Sequence, residues 1–507
     1  MKNRFVLLLM LTVVLSKGVY SQTFDEYLKK KQQEKNIDGK GQEFDRYYQQ
    51  KQAEFQKYLA EKWHEFDVFS GESLYEKPKP EIIPAFKPDP ERKPVKIIPE
   101  IPKKEKEISI SGNDNENPDV KIPVHEDGQE KESRIPDEDN EYNLPERNLQ
   151  IAFEYFNTDI YLNKEIFSAP VAPDNFSGKA FAKWWKSACN SNYSNLISQL
   201  LDNKQRLILN DYGYLKLIEK TSEEIAGTKN QQILVQWFLL VSSGYDVRLA
   251  YTRNQISLFI PVKQQLYSKD FFTINGVNYY VFSNLDVNKV KSYKKSGPGK
   301  KVLDFDLYQP MKLNDAVKSR GTAFIYNLKT YYFELNYNPN WIEFLKNYPQ
   351  GDLEIYFDAS VSNEFKSSIL KNLNPVVSEM ETRDALNFLL RHVQEGFDYK
   401  TDPEQFGHEK FFFPEEILYY PFADCEDRAV YFAWLVRHLL HLEVIGLQYE
   451  GHVATAVLIP GDQHGDYLVY KGKKYTIADP TYMGAPVGLT MPAYFDASPE
   501  IILLNNK

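Results

Sequence analysis

Cysteine is nearly absent from this chain. Its 507 residues hold two, Cys189 and Cys425, which excludes a disulfide framework and allows one bridge at most. Long apolar runs are lacking as well. The apolar stretch at 5–15 is about 11 residues, where a membrane-spanning helix needs about 20. Basic excess is missing too. Sixty-one Lys and Arg against 71 Asp and Glu leave a net charge of −10, with no electrostatic footprint for nucleic acid. The phrase "GPGKK" at 297–301 has neither the spacing nor the strand–helix setting of a phosphate-binding loop. No ligand set for a metal stands out, and the acidic loops offer no convincing calcium cage, so no metal or cofactor is expected.

The opening "MKNRFVLLLMLTVVLSKGVYSQ" combines a basic start, a short apolar run and small residues before Gln22. It reads as a cleaved secretory signal over 1–21, and the mature chain as exported, periplasmic or secreted. No cysteine lies near the cleavage point, so a bacterial lipid anchor is not expected. From 22 to 70, "FDRYY", "FQKYL" and "FDVF" begin 11 residues apart and gather Phe44, Tyr47, Phe55, Tyr58, Phe66 and Phe69 on one helical face. That stripe predicts an amphipathic helix that folds on a protein partner, with a self-associating coiled coil as the alternative. Residues 71–148 form a disordered linker: 12 of the 28 prolines fall between 77 and 146, a composition suited to an extended spacer.

From about 149 the texture becomes apolar and aromatic. Residues 149–375 read as a mixed α and β domain, with "NQQILVQWFLLVSSGY" as a helix. "DVRLAY", "ISLFIPV", "FFTING", "VNYYVF", "TAFIYNL", "YYFELNY" and "DLEIYF" read as strands. Residues 376–507 form the last domain, and its chemistry centres on "YYPFADCEDRAVYFAWLVRHLL" at 419–440. Asp424 is a good N-cap, Asp427 falls where a carboxylate reaches back to that cap, and Cys425 is the first helical residue. A helix start favours a thiolate, while the neighbouring acids oppose one. Downstream, His452 opens an alternating stretch, "GHVATAV", and Asp479 ends another, "YTIADPTY". The two strands are expected to pair through the turn at "YKGKKY", with the carboxylate fixing the imidazole's tautomer. Cys189, in "WWKSACNSNYSN", has no histidine near it and reads as structural. Arg428 reads as pairing with an acid on its own helix rather than touching substrate.

"DCEDRA", "GHVATAV" and "ADPTY" resemble the three catalytic motifs of the transglutaminase-like superfamily, a branch of the papain-like fold, over about residues 380 to 485. The resemblance implies an α+β chain with a papain-like catalytic domain at its C-terminus. It implies Cys425 as nucleophile, His452 as acid and base, and Asp479 as the orienting residue, with a backbone N–H of Cys425 as oxyanion donor. The reaction expected is acyl transfer on amide bonds of a peptide or protein through a thioester, with hydrolysis favoured over cross-linking. The rival expectation is a cell-envelope binding or scaffold protein with a dormant core. The middle domain echoes the last: aligning Tyr251 with Tyr449 sets Gly227 or Thr228 against Cys425 and Asn254 against His452, and aligning the turns "NGVN" and "YKGKKY" sets Ser283 against Asp479. It is either a degenerate copy that binds or shields, or a chance likeness of common helix–strand units.

Overall fold

The computed structural model describes residues 85–86, 94–99, 150–163, 167–253, 255–267, 269–274, 276–282, 290–293, 300–461 and 464–504. Residues 1–21, expected to be a signal, the aromatic repeat of 22–70, Asn254 and Ser283 lie outside them. The described residues all belong to one compact unit, 81–507.

In chain order come β1 (Lys96–Ile97), β2 (Gln150–Tyr155), β3 (Thr158–Asn163), α1 (Gly178–Cys189), α2 (Tyr193–Arg206), α3 (Asp211–Ile225) and α4 (Lys229–Ser242). A sheet region follows: β4 (Arg248–Tyr251), β5 (Ile256–Pro261), β6 (Phe271–Ile274), β7 (Val277–Val281) and β8 (Lys291–Tyr293). Then come β9 (Lys318–Tyr326), β10 (Lys329–Tyr337), α5 (Pro339–Leu345), α6 (Leu353–Phe357), α7 (Asn363–Asn372), α8 (Asn374–Val377), α9 (Thr382–Gly396), α10 (Asp402–Phe406) and α11 (Cys425–Leu435). The chain closes with β11 (Val444–Tyr449), β12 (His452–Val457), β13 (Tyr467–Tyr470), β14 (Lys473–Ala478) and β15 (Glu500–Leu503). The architecture is mixed α+β. No helix among the described residues is long and apolar enough to cross a membrane.

The two larger sheets share one plan. The first runs β6-β7-β5-β4-β8 and the second β13-β14-β12-β11-β15, with β1 added outside β13. Both are antiparallel through those five strands. Each follows a helix with a polar N-cap, Thr228 before α4 and Asp424 before α11. Further upstream, the hairpins β2–β3 and β9–β10 also match. "AFEYFN" and "AFIYNL" both turn through two residues of positive φ, Phe156 and Asn157 in one, Asn327 and Leu328 in the other, the conformation that tight hairpin turns demand.

One hydrophobic core runs from Ile151 to Leu504 without dividing at 375. The reason is the β9–β10 hairpin. Its alternating Thr322, Phe324, Phe333 and Leu335 are buried, and Phe324 meets Phe388 of α9 at 5.0 Å between centroids. The helix α11 is buried on every face from Ala429 to Leu435, as befits the central helix of a core.

Three details differ from the sequence expectation. "DLEIYF" is helical over Leu353–Phe357, because an apolar run this short carries no readable period. The turn at Lys471 and Gly472 joins β13 to β14, and β12 meets β14 along its other edge. Two pieces of the proline-rich span pair with the C-terminal segment, one of them within its sheet. Lys96 and Ile97 pair in parallel with Tyr467 and Leu468, and Ala85 bridges to Met483. Ile97 is 1% exposed among Leu447, Leu468 and Ile477, so its burial offsets the ordering cost that the surrounding composition cannot.

Candidate active site

Why does the chain begin a helix at Cys425? Asp427 accepts the backbone N–H of Asp424 at 3.2 Å, holding the cap and leaving Cys425 as the first helical residue. The helix packs against β12, and the backbone N–H of Val453, the residue after His452, reaches the Cys425 sulfur. The sulfur donates to Glu426 Oε2 at 2.9 Å. Burial first, then the charges of Glu426 and Asp424, push this thiol well above its usual range. At rest it is protonated.

His452 and Asp479 meet directly. Imidazole Nε2 lies 2.9 Å from Asp479 Oδ2, and both residues are buried. The other carboxylate oxygen accepts the backbone N–H groups of Thr481 and Tyr482 at 2.9 and 3.2 Å. Those bonds fix the carboxylate and, through it, the imidazole. Because Asp479 occupies Nε2, Nδ1 is the nitrogen left for chemistry. The ring of Tyr494 stacks on the imidazole at 4.9 Å, and Tyr449 lies beside both.

Two residues support this arrangement, and the first, Gln394, gave no sequence signal. Gln394 of α9 donates to the carbonyls of Asp479, Tyr482 and Ala485 and accepts from Gly484 N–H, stapling the loop that carries Asp479. Arg428 is 1% exposed and donates to the carbonyls of Ala423, Gln394 and Phe397. It hydrogen-bonds no acid of its own helix, because its buried guanidinium is taken up by these three carbonyls.

Cys189 and Cys425 are both free thiols, so nothing locks the sulfur away. Cys189 closes α1 and is part-buried. A cavity of about 470 Å³ lined by Asp358, Lys366, Arg437, His438 and His441 opens at the far, C-terminal end of α11, so it is not the space in front of the thiol.

A tight group of carboxylates surrounds the start of α11. Asp402, Asp424 and Asp427 are all buried with oxygens within 4.8 Å of one another, and Asp402, Glu409 and Glu426 form a second such group. Burial raises all four of Asp402, Asp424, Glu426 and Asp427 above the ordinary carboxylate range, and each carries at least one further acid of the group among its causes. The sequence reading found no such cage, because its parts come from two separate segments, 402–409 and 424–427.

In the first sheet the matching positions carry other residues. Thr252 N–H donates to Gln255 O at 2.9 Å, closing the turn as Tyr449 and His452 do in the second. Gln255, exposed, thus takes the place of His452. Lys229 takes the helix-start place of Cys425. In front of that start, Gln231 donates to the carbonyls of Ala169 and Pro170, so the loop at 167–173 covers it. Comparisons with protein-family models, with curated proteins and with solved structures return no match to this chain.

Proposed function

We propose that the chain is a cysteine-dependent acyl-transfer enzyme of the transglutaminase-like kind, acting on amide bonds of peptides or proteins. The observation that carries this reading is the His452–Asp479 hydrogen bond of 2.9 Å on the strands packed beside a helix-start thiol. In the proposed reaction His452 Nδ1 takes the Cys425 proton, and the sulfur attacks the amide carbon. The imidazolium then protonates the departing amine, leaving a thioester. The carbonyl oxygen becomes an anion beside the free N–H groups of the α11 start, the Cys425 N–H among them. Water, activated by the same imidazole, hydrolyses the thioester. An amine in its place gives a cross-link. Hydrolysis is the favoured outcome for a chain whose opening residues read as an export signal.

The repeated sheet plan, helix caps and hairpin turns support a further part of this reading. Residues 150–310 are a decayed copy of 318–504 that has lost the sulfur and the imidazole and now buttresses the active copy.

The rival is a binding or scaffold protein with a dormant core, and the protonated thiol beside Glu426 is what favours it. Mass spectrometry of peptide mixtures incubated with the wild type and with Cys425→Ala decides between them. Cleaved or joined peptides with the wild type alone support the enzyme. Unchanged mixtures, with Cys425 no more reactive to iodoacetamide than Cys189, sink it.

A further inference from the structure

Positive groups gather at the far end of α11, in a chain whose net charge is −10. The cavity of about 470 Å³ there is lined by Lys366, Arg437, His438 and His441 against one acid, Asp358. That acid is already answered, because Arg437 donates to Asp358 Oδ1 at 3.2 Å and to Phe357 O at 3.0 Å. Lys366 comes from α7 and forms no ion pair among the described residues. Cations at a helix C-terminus answer its carbonyls, and His438 does so through Nδ1–H to Trp434 O at 2.8 Å. Lys366 stands on a different helix, so that account does not cover it.

The wall that carries three of these groups is built at a cost. Val436–Leu440 is a π-helical turn, and His441 follows it in the left-handed region at φ 53°. Helices rarely widen in this way, and glycine is the residue that ends them left-handed with least strain. Trp434, 1% exposed, stacks on the imidazole of His438 with centroids 4.1 Å apart. The stack and the Nδ1–H bond fix that ring and leave Nε2 without a hydrogen-bond partner among the described residues. Burial lowers the pKa of His438, and the positive groups of Arg437, Lys366 and His441 lower it further. Like charges brought this close repel one another, and an anion between them relieves the repulsion.

We propose that this cavity binds a small organic phosphate, its dianionic group held by Lys366, Arg437, His438 and His441. A phosphate monoester carries about −1.5 to −2 charges at neutral pH. Lys366 and Arg437 meet that charge only with help from the imidazoles, because Asp358 offsets one of them. Lysine and arginine both suit phosphate oxygens. Cavities of about 300–1,000 Å³ take ligands of small-molecule size, so this one leaves room for an organic body beside the phosphate. Leu370 gives that body an apolar contact and Asn374 a polar one. The site lies at the opposite end of α11 from Cys425, and so is separate from the thiol and its imidazole.

Calorimetric titration of phenyl phosphate into the full chain, with benzoate as the monoanion on the same ring, tests the site without reference to any activity. The expected result is one saturable site for phenyl phosphate and a higher melting temperature in its presence. Benzoate binds about tenfold more weakly or less. Lys366→Ala and His438→Phe each weaken phenyl phosphate about fivefold or more, and the phenylalanine keeps a ring on Trp434. His441→Gly weakens it too while folding normally, because glycine suits the left-handed position. That variant separates lost binding from lost folding. The proposal is overturned if phenyl phosphate gives neither heat nor a melting shift, or if benzoate binds as tightly. It is equally overturned if phenyl phosphate binds undiminished in all three variants, which puts the anion elsewhere.

Discussion

Val95 and Asp466, 371 positions apart, share a hydrogen bond of 2.8 Å from the Val95 N–H to Oδ1 of the carboxylate. Oδ2 of Asp466 accepts Thr490 N–H at 2.7 Å, so one fully buried carboxylate ties the proline-rich span and the chain's last loop to the edge of the same sheet. Ile97 then inserts into the core beneath β13. Ile97→Ala should lower stability by about 2 kcal/mol or more, as large-to-small core changes do. Ile98→Ala, whose parent side chain is 68% exposed, should leave it within about 0.5 kcal/mol. Urea unfolding of both variants checks this, and equal midpoints would mean that 94–99 is only a spacer.

Arg428 supplies a second case in which structure assigns a role that spacing did not. Replacing it with Met removes three charge-assisted hydrogen bonds and leaves the carbonyls of Ala423, Gln394 and Phe397 without that donor. The cost should be about 3 kcal/mol or more, since bonds to charged groups contribute about 1.5–3 kcal/mol each and are not additive. Lys cannot reproduce the fork geometry, so Arg428→Lys should lose most of the same stability. The readout is thermal or urea unfolding. A normal melting temperature with impaired peptide turnover would instead make Arg428 a substrate contact.

The capped helix start at Cys425, the strand opened by His452 and the strand ended by Asp479 were legible because each is local: a polar cap, an alternation, a carboxylate before a proline. What stayed hidden depends on distant segments. The β1 strand sits in a stretch whose average composition opposes order, and only Ile97 outweighs it. The carboxylate group needs Asp402 and Glu409 folded over the 424–427 turn. Matching the two sheets also needs register: matching tyrosines sets Asn254 against His452, while strand pairing sets Gln255 there. The expected helix of 22–70 lies outside the described residues.

His392 is fully buried among Phe324, Phe333 and Phe397, with Nε2 at 3.1 Å from Tyr431 OH. Burial lowers its pKa to about 3, from an ordinary 6.5. The folded state therefore holds it neutral while the unfolded chain takes up a proton. Its contribution is fully present above pH 6.5 and is lost as pH falls towards 3. Between pH 7 and pH 5 this amounts to about 2 kcal/mol. Stability measured by urea unfolding at both pH values should fall less in His392→Phe than in the wild type, by that difference. Parallel pH dependence in the two proteins would show that His392 is not the source of acid sensitivity.

Asp479 holds the imidazole through Oδ2 and its own loop through Oδ1, and two substitutions separate these duties. Asp479→Asn keeps one acceptor oxygen for the Thr481 and Tyr482 N–H groups but turns an NH₂ towards Nε2, so the loop stays held while the imidazole is pushed to the wrong tautomer and loses the charge that steadies the imidazolium. Asp479→Ala removes both, leaving the loop held by Gln394 alone. If the proposed acyl transfer is right, both variants fold, and kcat/KM falls in each. Both fall by about 10²–10⁴, the scale set by triad carboxylates elsewhere, but only the alanine variant also loses melting temperature through its loop. Single-turnover assays with a peptide that the wild type cleaves, alongside melting temperatures, give the answer. A correctly folded Asp479→Ala with undiminished turnover would mean that the His452–Asp479 bond supports the fold and not the reaction.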